Sequence, residues 1–111
     1  SLKTKGGYID GILYLLECFD DKEHFYKIGI TKSSVKLRYR QTKNKIPYEY
    51  DCIFELPVGY IRAYENEQFI LNKLKSFRYF PEKPFAGHTE CLSVNPIDHD
   101  PYLAELFKDL D

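Results

Sequence analysis

Methionine is absent from the chain, cysteine occurs three times, and no acidic residue falls between His24 and Tyr48. Each absence excludes something. With no methionine at its start, Ser1 reads as a cloning remnant and the chain as a domain excised from a longer protein, fused there to further domains. The cysteines Cys18, Cys52 and Cys91 are odd in number and share no C-x-x-C spacing. That argues against a disulfide scaffold and for a reducing compartment, the cytoplasm or, in a eukaryote, the nucleus, and against secretion. His88 and Cys91 form a lone H-x-x-C without further ligands at suitable spacing, so they read as core or loop residues rather than zinc ligands. No apolar run approaches the roughly 20 residues of a membrane-spanning helix, and no signal-peptide pattern opens the chain.

What is present fits one domain. A chain of 111 residues has room for a single real core. Residues 1–10 read as a polar leading segment and 11–111 as the domain. The formal net charge of −1 does not by itself favour a polyanionic partner. Its distribution is more telling, because the acid-free stretch carries Lys27, Lys32, Lys36, Arg38, Arg40, Lys43 and Lys45. A concentrated basic face attracts phosphates even when the total is neutral, although a solvated helix and loop would look the same.

Periodicity and punctuation predict the elements. Gly11–Cys18 is apolar on both faces, the mark of a central strand. Phe19–Lys22 carries turn residues, and Phe25–Thr31 returns to complete a hairpin. Ser33 or Ser34 caps a short helix running to about Thr42, and Tyr50–Leu56 is a third strand. The strongest helix runs from Ile61 or Arg62 to Phe77. Glu90–Val94 is a short strand or extended edge, and Asp98 or Asp100 caps a last helix with Pro101 at its first position. The fold class is α/β of the α+β kind: a small antiparallel three-stranded sheet flanked by helices.

One residue stands out on physical grounds alone. Ala63, Ile70, Leu71, Leu74 and Phe77 form the apolar stripe of the strong helix. At about 100° per residue Glu67 projects within that stripe, while Glu65 projects away from it. An inward carboxylate costs free energy unless a buried cation or a metal compensates it. The hairpin supplies a second pairing. With Phe19–Lys22 as a four-residue loop, Cys18 pairs with Glu23 and Tyr14 falls opposite Lys27, where a cation would lower the phenol's pKa.

In order and spacing these residues resemble the GIY-YIG nuclease superfamily. Ile12-Leu13-Tyr14 stands for the first motif, with Gly11 one place early, and Lys27-Ile28-Gly29 for the second. Arg38 follows nine residues after Gly29, Glu67 lies in Ala63-x-x-x-Glu67-x-x-Ile70-Leu71, and Gly87-His-Thr-Glu90 closes the series. The similarity spans Gly11 to Leu92. Lys27 stands where the second tyrosine is usual, a variant that resembles a phage-type branch, and Tyr26 sits one residue earlier on the opposite strand face, so either could serve the second position.

The resemblance implies a metal-dependent endonuclease acting on nucleic acid, DNA before RNA, with no membrane partner. In that scheme Tyr14, perturbed by Lys27, is the general base and Arg38 stabilises the phosphate. Glu67 holds one Mg2+ or Mn2+. Tyr26, Thr31, Lys32, Lys36, Arg40 and Lys43 are the expected DNA contacts, and Glu90 is either an acceptor supporting the site's residues or, the reading favoured, a structural hydrogen-bond partner. The Lys27 replacement keeps an alternative open: a nucleic-acid-binding module of a larger protein that cuts weakly or not at all.

Overall fold

In the computed structural model, residues 2–3, 5–6, 11–40 and 45–108 are described, with the backbone alone for 2–3, 5–6 and 106–108. Two short strands, β1 (Leu2–Lys3) and β2 (Lys5–Gly6), pair antiparallel in the leading segment. The main elements follow in order: β3 (Ile12–Phe19), β4 (His24–Thr31), α1 (Val35–Arg40), β5 (Glu49–Pro57), α2 (Tyr60–Lys73), β6 (Cys91–Leu92), α3 (Pro96–His99) and α4 (Pro101–Lys108).

The main sheet is antiparallel with strand order β5-β3-β4-β6. The class is the expected α+β. The sheet has four strands rather than three, because Cys91–Leu92 pairs with Tyr26 and Lys27. β3 lies between β5 and β4, as its doubly apolar pattern requires: Leu13, Tyr14, Leu15, Leu16 and Cys18 have no exposed surface. Alternate side chains serve two cores. Leu13, Leu15 and Ile28 pack with Ala63, Ile70, Leu71 and Leu74 of the α2 side. Tyr14, Leu16, Cys18 and Phe25 pack with Val35 and Tyr39 of α1 on the other.

The hairpin departs from its expected register by two residues: Tyr14 pairs with Gly29, not with Lys27. Asp20 is the reason. Its Oδ1 accepts from the N–H groups of Lys22 (2.8 Å) and Glu23 (2.7 Å), and its own N–H reaches the Glu23 carbonyl at 3.0 Å. The turn is therefore Asp20–Glu23, and Phe19 stays in the strand opposite His24. A two-residue shift preserves the face of every side chain, so Tyr14 and Lys27 remain neighbours, on the diagonal.

The helices start as their caps dictate. Ser34 Oγ accepts from the Leu37 N–H at 3.1 Å to open α1, and Asp100 Oδ1 accepts from Tyr102 N–H at 2.9 Å to open α4. The short α3 was not expected; Asn95 caps it and Pro96 occupies its first position. α2 ends at Lys73, and its expected last turn is a 3-10 turn over Lys75–Phe77.

Candidate active site

The side chains of Tyr14 and Lys27 meet over Gly29. A Cβ on Gly29 would lie 2.4 Å from Tyr14 Oη and 2.9 Å from Lys27 Nζ, so only glycine admits both. Lys27 Nζ is 3.4 Å from Tyr14 Oη and 3.2 Å from Glu90 Oε1. The Lys27 side chain is 1% exposed. Gly87 and Glu90 close over it together. Gly87 adopts φ +85°, its carbonyl accepts the Glu90 N–H at 3.0 Å, and a Cβ there would stand 2.8 Å from Lys27 Nζ. The G-x-x-E sequence is thus a turn that seals and neutralises a buried lysine. Burial presses against the charge of Lys27, but Tyr14, Tyr39 and Glu90 outweigh it and hold the pKa above the usual lysine value.

Tyr39 is a member of this cluster that the sequence reading missed. It is buried on α1, and its hydroxyl lies 2.5 Å from that of Tyr14. Val35 and Tyr39 are the buried residues of α1. Their i, i+4 spacing was the available signal for an inward face. Arg38 follows with its guanidinium carbon 5.5 Å from the Tyr39 ring centre and a buried Nε that has no hydrogen-bond partner. Arg40 is exposed. Of the two arginines, Arg38 is the one brought to Tyr14.

Glu67 lies where helical geometry put it, 3% exposed among Ala63, Ile70 and Leu71, with Glu65 exposed. Its Oε1 accepts from Gln68 Nε2 at 3.2 Å, while Oε2 is buried without a partner. Burial pushes the Glu67 carboxyl up to about 7, and Glu90 adds to the rise against the opposing pull of Gln68, Lys27 and Arg38. A buried carboxylate oxygen with nothing to satisfy it fits a divalent cation, which would displace the proton. Among the described residues no group of three or more His, Cys, Asp or Glu could share such an ion. Glu67 would be the protein carboxylate of a cation otherwise held by water and phosphate oxygens, a pattern suited to Mg2+.

The electrostatics of Tyr14 correct one expectation. Lys27 and Arg38 do favour its phenolate, but burial is the larger effect and Tyr39 reinforces it, so the Tyr14 pKa is raised rather than lowered.

The other predicted residues divide. Lys36 and Arg40 are exposed on α1, and exposed Lys32 stands 5.7 Å from the Tyr60 ring centre. Thr31 is buried; its Oγ1 accepts the Ser33 N–H at 3.3 Å and so shapes the turn into α1. Tyr26 points to the other side of the sheet from Tyr14 and Lys27, packing beside His24 and the α2-side core. Lys43 lies outside the described residues. Cys91 is buried in the α1-side core, and His88 Nδ1 lies 2.7 Å from the Phe85 carbonyl oxygen.

The T5orf172 domain family matches residues 11–106 of the chain. No curated protein and no solved structure matches it.

Proposed function

The chain belongs to the T5orf172 domain family, and from that premise we propose that it is a GIY-YIG-type endonuclease hydrolysing phosphodiester bonds in DNA with the help of Mg2+ or Mn2+. The family is phage-associated and related to nuclease-type modules, which accords with a nuclease or nucleic-acid-binding role. The observation that carries the reading is Glu67: a buried carboxylate oxygen without a partner, in a neighbourhood that also holds Lys27 and Arg38. No hydrogen bond among the described residues reaches that oxygen, whereas a bound cation would satisfy it.

The residues take the following parts. Tyr14, once ionised, accepts the proton of the attacking water. Lys27, 3.4 Å from the phenol oxygen, offsets the phenolate charge. Arg38 has an unused Nε donor for the phosphate oxygens, on which negative charge grows in the transition state. Glu67 would hold the divalent cation, whose chemistry when bound is to stabilise the leaving 3′ oxygen. Lys32, Lys36 and Arg40 offer exposed cations for the DNA backbone, with Lys43 and Thr31 nearby in sequence. Tyr26, on the far side of the sheet, is left out of this contact set.

A second reading draws on one observation. Burial holds Tyr14 protonated, which favours a module that binds nucleic acid without cutting it. Nicking of supercoiled plasmid with Mg2+ or Mn2+, alongside EDTA and the Glu67→Gln variant, separates the two. Metal-dependent nicking lost in the variant is the expected result. Salt-sensitive binding without nicking supports the second reading, and absence of both overturns each.

A further inference from the structure

Between the C-terminal half of α2 and the segment from Arg78 to Glu90 lies a cavity of about 390 Å3. Its walls include Gln68, Asn72, Lys75, Arg78, Thr89 and Glu90. Two of these also touch the cluster described above. Gln68 Nε2 donates to Glu67 Oε1 at 3.2 Å, and Glu90 Oε1 lies 3.2 Å from Lys27 Nζ. The cavity is therefore one side chain away from Glu67 and from Lys27.

Its chemistry is mixed in a particular way. Gln68 and Asn72 are exposed and four residues apart on α2, so their amides stand side by side along one face. The Asn72 amide offers donors and an acceptor, and Gln68, which gives one donor to Glu67, keeps its other donor and its acceptor, the complement of a base edge. Lys75 and Arg78 supply cations. Arg78 gives one guanidinium nitrogen to the Thr89 carbonyl and keeps a buried Nε without a partner. Lys75 is exposed, and neither cation is in an ion pair among the described residues. The one carboxylate in the wall, Glu90, is offset by Lys27. Leu71 is the one apolar side chain in the wall, so a small apolar ligand has little to gain here; a nucleotide finds amides for its base and cations for its phosphate.

We propose that this cavity is a nucleotide subsite, receiving the nucleotide that flanks the scissile phosphate, with Gln68 and Asn72 on the base and Lys75 and Arg78 on the phosphate. The proposal rests on the nuclease reading. It makes the domain read one position beside the cut as well as perform it.

The test uses the full chain carrying Asn72→Ala and Lys75→Ala together, both exposed positions whose truncation leaves the core intact. Lys22→Ala, in the hairpin turn, is the control. Duplex affinity is measured at several salt concentrations in the Glu67→Gln background. Cut positions are mapped on an end-labelled random-sequence duplex pool with the Glu67 protein. The double variant is expected to bind about tenfold more weakly, to lose about 0.9 from its log–log salt slope, and to lose base preference at one position beside the cut. A wild type that neither binds nor nicks overturns the nuclease reading and the subsite with it. A wild type that nicks, with slope and base preference unchanged in the double variant, overturns the subsite alone.

Discussion

The hydroxyls of Tyr14 and Tyr39 lie 2.5 Å apart and share one hydrogen bond between a central strand and a short helix. Burial, the charge of Tyr39 and the shared hydrogen bond all oppose ionisation of Tyr14, against the pull of Lys27 and Arg38. The cleavage rate should therefore climb with pH and show no plateau at the ordinary tyrosine pKa of about 10. Tyr14→Phe should cost orders of magnitude in rate with little change in Tm, and Tyr26→Phe much less. Tyr39→Phe should move the rising limb of the pH–rate profile toward lower pH, since it removes two influences that keep Tyr14 protonated. A limb displaced to higher pH would mean that Tyr39 donates to the phenolate and stabilises it.

Glu67 links function to stability through its raised pKa. A carboxyl that titrates near 7 in the folded chain and near 4.5 in the unfolded one binds its proton more tightly when folded. Its favourable contribution is complete below about pH 4.5 and is lost as pH rises through about 7. Without metal, Glu67→Gln should thus gain stability on the parent as pH rises from 4.5 to 8, by up to about 3 kcal/mol. Divalent cation should stabilise the parent at pH 8 and not the variant, and should support nicking only where Glu67 remains. Glu65→Gln, on the exposed face, should change neither quantity. Thermal melts at two pH values with and without Mg2+ measure this. Equal behaviour of the two variants would remove Glu67 from the site.

Much of this arrangement was legible beforehand, and its limits have physical causes. The doubly apolar Gly11–Cys18 run could only be a central strand, and the 100° helical repeat put Glu67 inside the stripe of α2. The hairpin register slipped because Asp20, read as a generic turn residue, caps the turn with its own carboxylate. Tyr39 was missed because its hydroxyl meets that of Tyr14 across 25 residues of sequence, a contact that local pattern does not encode. The direction of the Tyr14 shift depends on burial outweighing a neighbouring cation; the doubly apolar run implies the burial, but pattern alone does not weigh it against the cation. The fourth strand is two residues long, too short to carry a period.

Gly29 is held to glycine by space. An alanine Cβ at this position would press on the Tyr14 hydroxyl at 2.4 Å and ring carbon at 2.5 Å, both in a fully buried side chain. Overpacking of this sort typically costs about 1–3 kcal/mol. Gly29→Ala should lower Tm accordingly and should also lose cleavage, because the phenol and the Lys27 ammonium must both move. Chemical denaturation beside single-turnover cleavage checks the pairing. Stability lost with cleavage intact would show that Tyr14 need not stand where it does.

Lys36 and Arg40 are exposed on the same short helix as Arg38, which is half-buried beside Tyr39. The difference in exposure should divide binding from chemistry. Exposed cations gain from phosphate contact mainly by releasing counterions, and each such contact contributes roughly 0.9 to the log–log salt slope on duplex DNA. Neutralising Lys36, Arg40 and Lys43 together should weaken DNA affinity and flatten that slope by up to about three contacts' worth. Arg38→Ala should leave the slope nearly intact and instead lower the single-turnover rate, since its contact strengthens as charge builds on the phosphate. The measurement is duplex binding at several salt concentrations beside single-turnover cleavage for both variants. If the triple variant keeps its slope, the acid-free stretch is a solvated face and the DNA runs elsewhere. If Arg38→Ala loses affinity and rate by the same factor, its contact is made equally in the ground state, and the transition-state role assigned to it fails.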